Sequence, residues 1–420
     1  MILLAVGREV SRETEKIGLS RPGTVQQTNL SPLSSLSARR TISAMKLLGL
    51  VFAALILCTS GFRSFHVTSS HKQFHLAPRL TPSVRAFQKT PQKPSGPLLS
   101  TPQPIVESES KPKSPLLQNL KVGALFALWY VLNIGYNVSN KKVLNMVPEL
   151  TYTVAFLQQF IGWFYLLPIW AFGVRKPPIL TQEELNNQIP MAVLHTLTHL
   201  GAVVSLGAGA VSFTHIVKAA EPAVSALLSA VFLKSFLPLP VYLSLIPVIG
   251  GVALASATEL SFTWLSFWAA MISNIASASR GIVGKNTLGK PQGKNMNAAN
   301  VYAVMTMIST LMCLPVAIAL EWKAIVPTLS AISASGKLNA LVTQTLLSGF
   351  YYYLYNEVAF LTLDNVSPVT HALGNTIKRV VIIIASVLAF GTKMSSQGAI
   401  GSAVAIGGVL LYSLAKNHFH

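Results

Sequence analysis

The sequence predicts an all-α membrane protein of about ten transmembrane helices, arranged as two inverted five-helix repeats. Three observations lead there. The chain of 420 residues is 51% hydrophobic and only 11% charged, whereas soluble domains carry about 25% charged residues. From Lys121 onward, apolar runs alternate with short polar breaks, and the runs have roughly the 20-residue length that crosses a bilayer core. Finally, two short segments of the first half of this region recur in the second.

The residues before that body read as a leader. Met45-Lys46 and the apolar run Leu47–Leu57 form a basic start and a hydrophobic stretch too short to span, with small Thr59 and Gly61 just before Phe62. That is the pattern of a signal peptide over 45–61. Residues 62–115 are basic and rich in Ser, Thr and Pro, and no acidic residue occurs between Glu15 and Glu107. Such a segment reads as a transit peptide. A signal peptide followed by a transit peptide resembles the two-part leaders of plastids bounded by more than two membranes. An aromatic at the start of the transit part, here Phe62, is typical of red-lineage complex plastids. The expected location is the innermost membrane of such a plastid. Residues 1–44 read as an upstream extension, with Met45 as the alternative start.

The net charge of +19 is shared between the two regions: the first 120 residues hold 15 basic and five acidic residues. A nucleic-acid protein clusters its basic charge on soluble surfaces with groove-reading or aromatic elements. No such surface is legible here, so no nucleic-acid partner is expected. The two cysteines, Cys58 and Cys313, fall one in the leader and one in an apolar run. They allow no disulfide framework and no cysteine-based metal site in the mature chain.

Spans are expected near 122–139, 151–173, 189–208, 211–233, 239–258, 262–284, 298–320, 339–361, 367–390 and 397–415. Charged breaks separate them, among them Asn140-Lys141-Lys142, Arg175-Lys176, Glu183-Glu184 and Glu321–Lys323. The bilayer is the expected partner of the outer faces. Ile249-Gly-Gly-Val-Ala-Leu-Ala-Ser256 matches Ile406-Gly-Gly-Val-Leu-Leu-Tyr-Ser413 at six of eight positions, an offset of 157 residues. Val211-Ser-Phe-Thr-His215 matches Val366-Ser-Pro-Val-Thr-His371 at nearly the same offset, with one inserted residue. The two matches divide the body into halves at 116–258 and 259–420. Five spans per half reverse the orientation of the second half, and inverted repeats are a transporter device for alternating access.

Ionisable groups at membrane depth cost roughly 2.5–3.5 kcal/mol on insertion scales and are functional candidates by default. Lys218 and Glu221 lie inside the span beginning at Val211; Lys378 and Arg379 lie inside the span beginning near Ser367. Lys218 follows His215 by three residues and Lys378 follows His371 by seven, which puts both lysines on the same side of their helices relative to the shared Thr-His pair. A pseudo-twofold axis would bring both into one midplane cavity. Three cations with few acids suit an anion: arginine offers a fork for phosphate oxygens and lysine a point charge. The structural alternative pairs Lys218 with Glu221 and lets the Lys378-Arg379 pair snorkel towards a helix end. Glu221-Pro222 reads as a helix-bending, charge-balancing element rather than a ligand.

His195 and His199 share a helix face, but the intervening Thr-Leu-Thr lacks the acid of a metalloprotease helix. No metal is expected, and a substrate-facing hydrogen bond suits one of the two histidines. Tyr351, Tyr352, Tyr353 and Tyr355 crowd one span as packing or interfacial aromatics, and Glu357 and Arg280 suit an interhelical or gate ion pair. No phosphate-binding glycine loop, catalytic serine triad or paired-carboxylate site is legible. No enzyme activity and no cofactor is expected.

Several of these segments together are specific. Val211-Ser-Phe-Thr-His-Ile-Val-Lys-Ala-Ala-Glu-Pro222, Tyr355-Asn356, Ser367-Pro-Val-Thr-His-Ala-Leu-Gly-Asn-Thr-Ile-Lys-Arg379, Asn140-Lys-Lys-Val-Leu144, Glu259-Leu-Ser-Phe262 and Met271-Ile-Ser-Asn274 closely resemble the plastidic phosphate translocators. The resemblance covers nearly all of Lys121–Lys416. It implies the ten-helix drug/metabolite transporter fold and strict exchange of inorganic phosphate for a triose phosphate, 3-phosphoglycerate, phosphoenolpyruvate or a sugar phosphate. It further implies that Lys218, Lys378 and Arg379 hold the phosphate, that His199 and Tyr355 contact the rest of the substrate, and that Arg280 lines the cavity. Triose-phosphate members carry a hydroxyl residue three positions after the histidine, where this chain has Ala202. Phosphoenolpyruvate-type members usually lack the histidine, so His199 favours triose-phosphate/3-phosphoglycerate exchange and leaves pentose and hexose phosphates open. A nucleotide-sugar or drug exporter of the same fold is the alternative carrier, and the Lys378-Arg379 pair speaks against it.

Overall fold

The computed structural model describes residues 115–288, 292–392 and 394–419. The expected extension (1–44), signal peptide (45–61) and all but the last residue of the transit segment lie outside the described residues. Among the described residues the protein is all-helical: α1 (Pro115–Met146), α2 (Thr151–Ala171), α3 (Gln182–Ala208), α4 (Val211–Lys218), α5 (Glu221–Leu233), α6 (Leu239–Leu243), α7 (Leu245–Ala257), α8 (Trp264–Leu288), α9 (Ala298–Ala334), α10 (Leu338–Asn365), α11 (Pro368–Phe390) and α12 (Ser396–Phe419).

Counting α4 with α5 and α6 with α7 as interrupted spans gives ten membrane-crossing units. Eight are long and apolar enough to cross a bilayer by composition. The other two, α8 with 25 residues and α10 with 28, have the length but carry Ser273, Asn274 and Arg280, and Tyr352, Tyr353 and Glu357. They fall short in hydropathy because they supply polar groups to the interior. Several elements also run past their expected ends. The first span lengthens to 32 residues and the seventh to 37. The expected single span over 211–233 is broken in two.

The distribution of side chains is that of a protein dissolved in lipid. Leu388 is 79% exposed and Leu227 62%, whereas Gln158, Ser273 and Asn274 are fully buried. With no water in the bilayer core, polar groups must find partners inside the bundle. They do so here: Gln158 donates to Asn140 at 2.6 Å, and Ser205 lies 2.8 Å from Thr214 and 3.1 Å from Ser266. Helix ends are capped where the chain turns. The Thr181 hydroxyl accepts from the Glu184 amide while the Glu184 carboxylate accepts from the Thr181 amide, a reciprocal box that opens α3.

The packing list is symmetric. α3 packs along α8 and α1 along α10, while α2 faces α9, α4 faces α11 and α7 faces α12. Exchanging the first five units for the last five maps this list onto itself. The α7–α12 contact shows the relationship at residue level. A Cβ at Gly251 would meet the backbones of Gly401 and Ala405, one at Gly401 would meet Gly251 and Ala255, and one at Gly408 would meet Val248. Numbers rise on one helix as they fall on the other, so the two run antiparallel. The 157-residue offset converts Gly251 into Gly408 and Val248 into Ala405. The contact is therefore reciprocal, as across a twofold axis. Only glycine permits backbones this close.

Candidate functional site

The site begins at a helix break. Pro222 lies in the first turn of α5, and proline has no amide hydrogen to return to the carbonyl of Lys218. The helix stops at Lys218, passes through Ala219 and Ala220, and restarts at Glu221. Lys218 thus ends one helix and Glu221 opens the next, where the helix dipole favours an anion.

The alternative local pairing of Lys218 with Glu221 gives no ion pair among the described residues. Lys218 Nζ donates instead to Ser273 Oγ on α8 at 2.6 Å, and Ser273 donates onward to the Thr198 carbonyl of α3. Glu221 turns to the second half. Its Oε2 accepts from Arg379 on α11 at 2.7 Å and its Oε1 from Ser277 on α8 at 2.5 Å. A carboxylate has two oxygens to satisfy, and the arginine and serine take one each, leaving the lysine to a neutral hydroxyl.

Lys378 does not snorkel. It is half-buried in the middle of α11, with its ammonium 4.6 Å from the centre of the Trp129 ring, a cation–π contact. His371 stacks on the same indole, 4.9 Å between centroids. Lys218, Lys378, Arg379 and Glu221 are close enough to act on one another electrostatically. His215, anchored through Nε2 to Asn137 Oδ1 at 2.9 Å, feels all three cations. The fold therefore brings both sets of intramembrane charges together, with a single carboxylate among them.

The remaining candidates gather beside this cluster. His199 Nε2 lies 3.0 Å from the Ala155 carbonyl, and the ring packs 4.2 Å from Tyr352. Tyr355 packs against Tyr136 at 5.2 Å and edge-on to Tyr352 at 5.8 Å. Arg280 reaches no carboxylate within ion-pair distance among the described residues. Its NH1 lies 2.7 Å from His195 Nδ1, and its charge acts on both Lys218 and Tyr355. The arginine so stands between the cationic and aromatic ends of the site. Glu357 forms its ion pair elsewhere, with Arg175 in the loop after α2.

Sequence reasoning gave no role to Ser277 and Asn137, met Ser273 only inside the Met271–Asn274 segment, and took Tyr352 as a packing aromatic. Their signal is faint, since small polar residues in membrane helices also serve ordinary interhelical packing. The informative mark is that Ser273 and Ser277 are four apart, hence on one face of α8, a helix already poor in apolar residues.

Comparison with known proteins gives the family. The model of the Triose-phosphate Transporter family matches residues 120–413. The chain is 41% identical over 302 residues to the phosphoenolpyruvate/phosphate translocator 1, chloroplastic, of Oryza sativa subsp. japonica, covering 72% of this chain and 73% of that one. It is 41% identical over 303 residues to the glucose-6-phosphate/phosphate translocator 2, chloroplastic, of Arabidopsis thaliana, covering 71% and 76%. It is 41% identical over 299 residues to the triose phosphate/phosphate translocator, chloroplastic, of Spinacia oleracea, covering 71% and 72%. With the family match spanning residues 120–413, this chain belongs to the triose-phosphate transporter family, whose members are transporters and not enzymes.

Proposed function

We propose that the protein is an antiporter of a plastid membrane that exchanges inorganic phosphate for a phosphorylated three-carbon metabolite. The observation that carries this reading is the convergence of Lys218, Lys378 and Arg379 from the two halves onto a site with one carboxylate, Glu221. In this reading the three cations hold the phosphate, and His199, Tyr355 and Arg280 contact the remainder of the substrate. The names of the three relatives, all phosphate translocators of chloroplasts, support the phosphate and the compartment. Their near-equal identities do not choose among the organic substrates. His199 favours the triose-phosphate/3-phosphoglycerate class over phosphoenolpyruvate.

The mechanism follows from electrostatics. Glu221 pairs with Arg379, whereas Lys218 donates to the Ser273 hydroxyl and Lys378 lies over the Trp129 indole, neither in an ion pair with a carboxylate among the described residues. Closing a dry site around two such cations is opposed by desolvation and repulsion of several kcal/mol. A bound phosphate removes that opposition, so the loaded carrier reorients and the empty one rarely does. The two halves rock as inverted repeats, a relationship supported by the reciprocal α7–α12 contact. The signal peptide over 45–61 and the transit peptide over 62–115 deliver the chain to the innermost membrane of a complex red-type plastid.

The test is uptake of labelled phosphate into proteoliposomes preloaded with phosphate, triose phosphate, 3-phosphoglycerate, phosphoenolpyruvate, a pentose phosphate or glucose 6-phosphate. Uptake should require an internal counter-substrate and be fastest with the three-carbon esters. Equal uptake into empty vesicles would refute obligatory exchange. Fastest exchange with glucose 6-phosphate would move the protein to the hexose class.

A further inference from the structure

We propose that His195 is a positioning residue of the substrate site, holding Arg280 directly and His199 through Tyr352. The inference rests on the proposed phosphate exchange and assigns a role to a residue outside the set that contacts substrate.

His195 lies on α3, is 3% exposed, and is bonded at both ring nitrogens. Arg280 NH1 on α8 is 2.7 Å from Nδ1, and the Tyr352 hydroxyl on α10 is 3.2 Å from Nε2. A guanidinium carries donors and no acceptor. Nδ1 must therefore be the accepting lone pair, and the single ring proton sits on Nε2 and is donated to Tyr352. The hydrogen-bond partners alone determine the tautomer. A protonated ring would present a donor to a donor at Nδ1, so the neutral form is the one that holds Arg280.

The consequences spread in two directions. Arg280 is aimed without a carboxylate, so its charge remains available to the site while its orientation is held by a neutral acceptor. Tyr352, having accepted from His195, keeps its own hydroxyl proton for a further acceptor. Its ring packs against His199, at 4.2 Å, and edge-on to Tyr355, at 5.8 Å. One imidazole thus braces all three residues placed on the non-phosphate part of the substrate. It does not bond to Lys218, Lys378 or Arg379, whose hydrogen bonds and ring contacts go to Ser273, Trp129 and Glu221. A bracing role predicts a split: recognition of the organic part depends on His195, and recognition of phosphate alone does not.

The experiment is exchange kinetics of the full chain in proteoliposomes for the unmodified protein, His195→Phe and His195→Asn. Phosphate/phosphate and phosphate/3-phosphoglycerate exchange are both measured, alongside the melting temperature in detergent. The phenylalanine variant removes both bonds, and loss of a hydrogen bond to a charged group corresponds to about tenfold or more in affinity. Its KM for 3-phosphoglycerate should rise by that factor, while its KM for phosphate in homo-exchange stays within about twofold. The asparagine variant keeps an acceptor near the position of Nδ1 and should recover much of the loss. Parallel rises in both KM values, or no advantage of asparagine over phenylalanine, would overturn the role and leave a structural cross-link. If the phenylalanine variant does not insert, His195→Asn is compared with His195→Gln, whose amide reaches towards Tyr352. Asparagine should show the lower 3-phosphoglycerate KM, and equal values would overturn the proposal. Absence of phosphate homo-exchange in the unmodified protein would overturn the proposed function, and this role with it.

Discussion

The Glu221 carboxylate holds the Arg379 guanidinium at 2.7 Å and so joins α5 to α11 through the candidate phosphate site. In the proposed mechanism this carboxylate competes with substrate phosphate for the arginine. Glu221→Gln keeps one acceptor oxygen for Arg379, turns the other position into an amide donor that can face the Ser277 hydroxyl, and removes the charge. The site then carries one more uncompensated cation, which strengthens anion binding and slows release. The KM for phosphate should fall several-fold and the maximal exchange rate should fall with it. An unchanged or higher KM would show that Glu221 does not compete with substrate for Arg379.

Lys378→Ala and Arg379→Ala should each nearly abolish phosphate exchange in a protein that still inserts. Truncating one partner of a buried charge pair costs about 3–5 kcal/mol, or roughly a hundredfold or more in affinity. Lys378→Arg should also fail, because a planar fork does not replace a point charge over the Trp129 ring. Lys323, whose ammonium lies 5.6 Å from the exposed Trp322 ring, is the control. Lys323→Ala should be nearly silent, and equal activity of Lys323→Ala and Lys378→Ala at matched expression would refute the phosphate site.

Gly251→Leu should destabilise the bundle without touching the charges. Its Cβ alone would lie 2.6 Å from the Gly401 carbonyl oxygen, and overpacking of this kind costs typically about 1–3 kcal/mol. The melting temperature in detergent should fall by several degrees, and Gly401→Leu, on the other side of the same contact, should behave alike. A melting temperature unchanged in both variants would mean that α7 and α12 do not pack backbone to backbone.

Targeting is tested apart from transport. A reporter carrying Met45 to Pro115 should enter the plastid, and Phe62→Ala should halt it on the way. Normal import of the mutant, followed by microscopy or by protease protection, would remove the two-part leader from the reading.

Much of the molecule was legible in the chain because a bilayer imposes a simple grammar. Apolar runs of spanning length must become helices, since no other single segment satisfies its own backbone in lipid. The costly charges inside those runs mark themselves by their rarity. Residue order alone therefore determined the helical class and the candidacy of Lys218, Lys378 and Arg379, whereas His199 was singled out only by the family resemblance. It did not determine who pairs with whom. Lys218 and Glu221 are three positions apart, which makes a local pair look natural, yet Glu221 is drawn 158 positions away to Arg379 and Lys218 turns to Ser273. Nor could hydropathy foresee that His195 bonds Arg280 and Tyr352 while His199 lies against the Ala155 carbonyl, since the two histidines share one face of α3. Those choices belong to the tertiary structure. Partners in a buried polar site are set by which helices pack side by side and by the direction each donor and acceptor must face, and neither quantity is carried by any one segment.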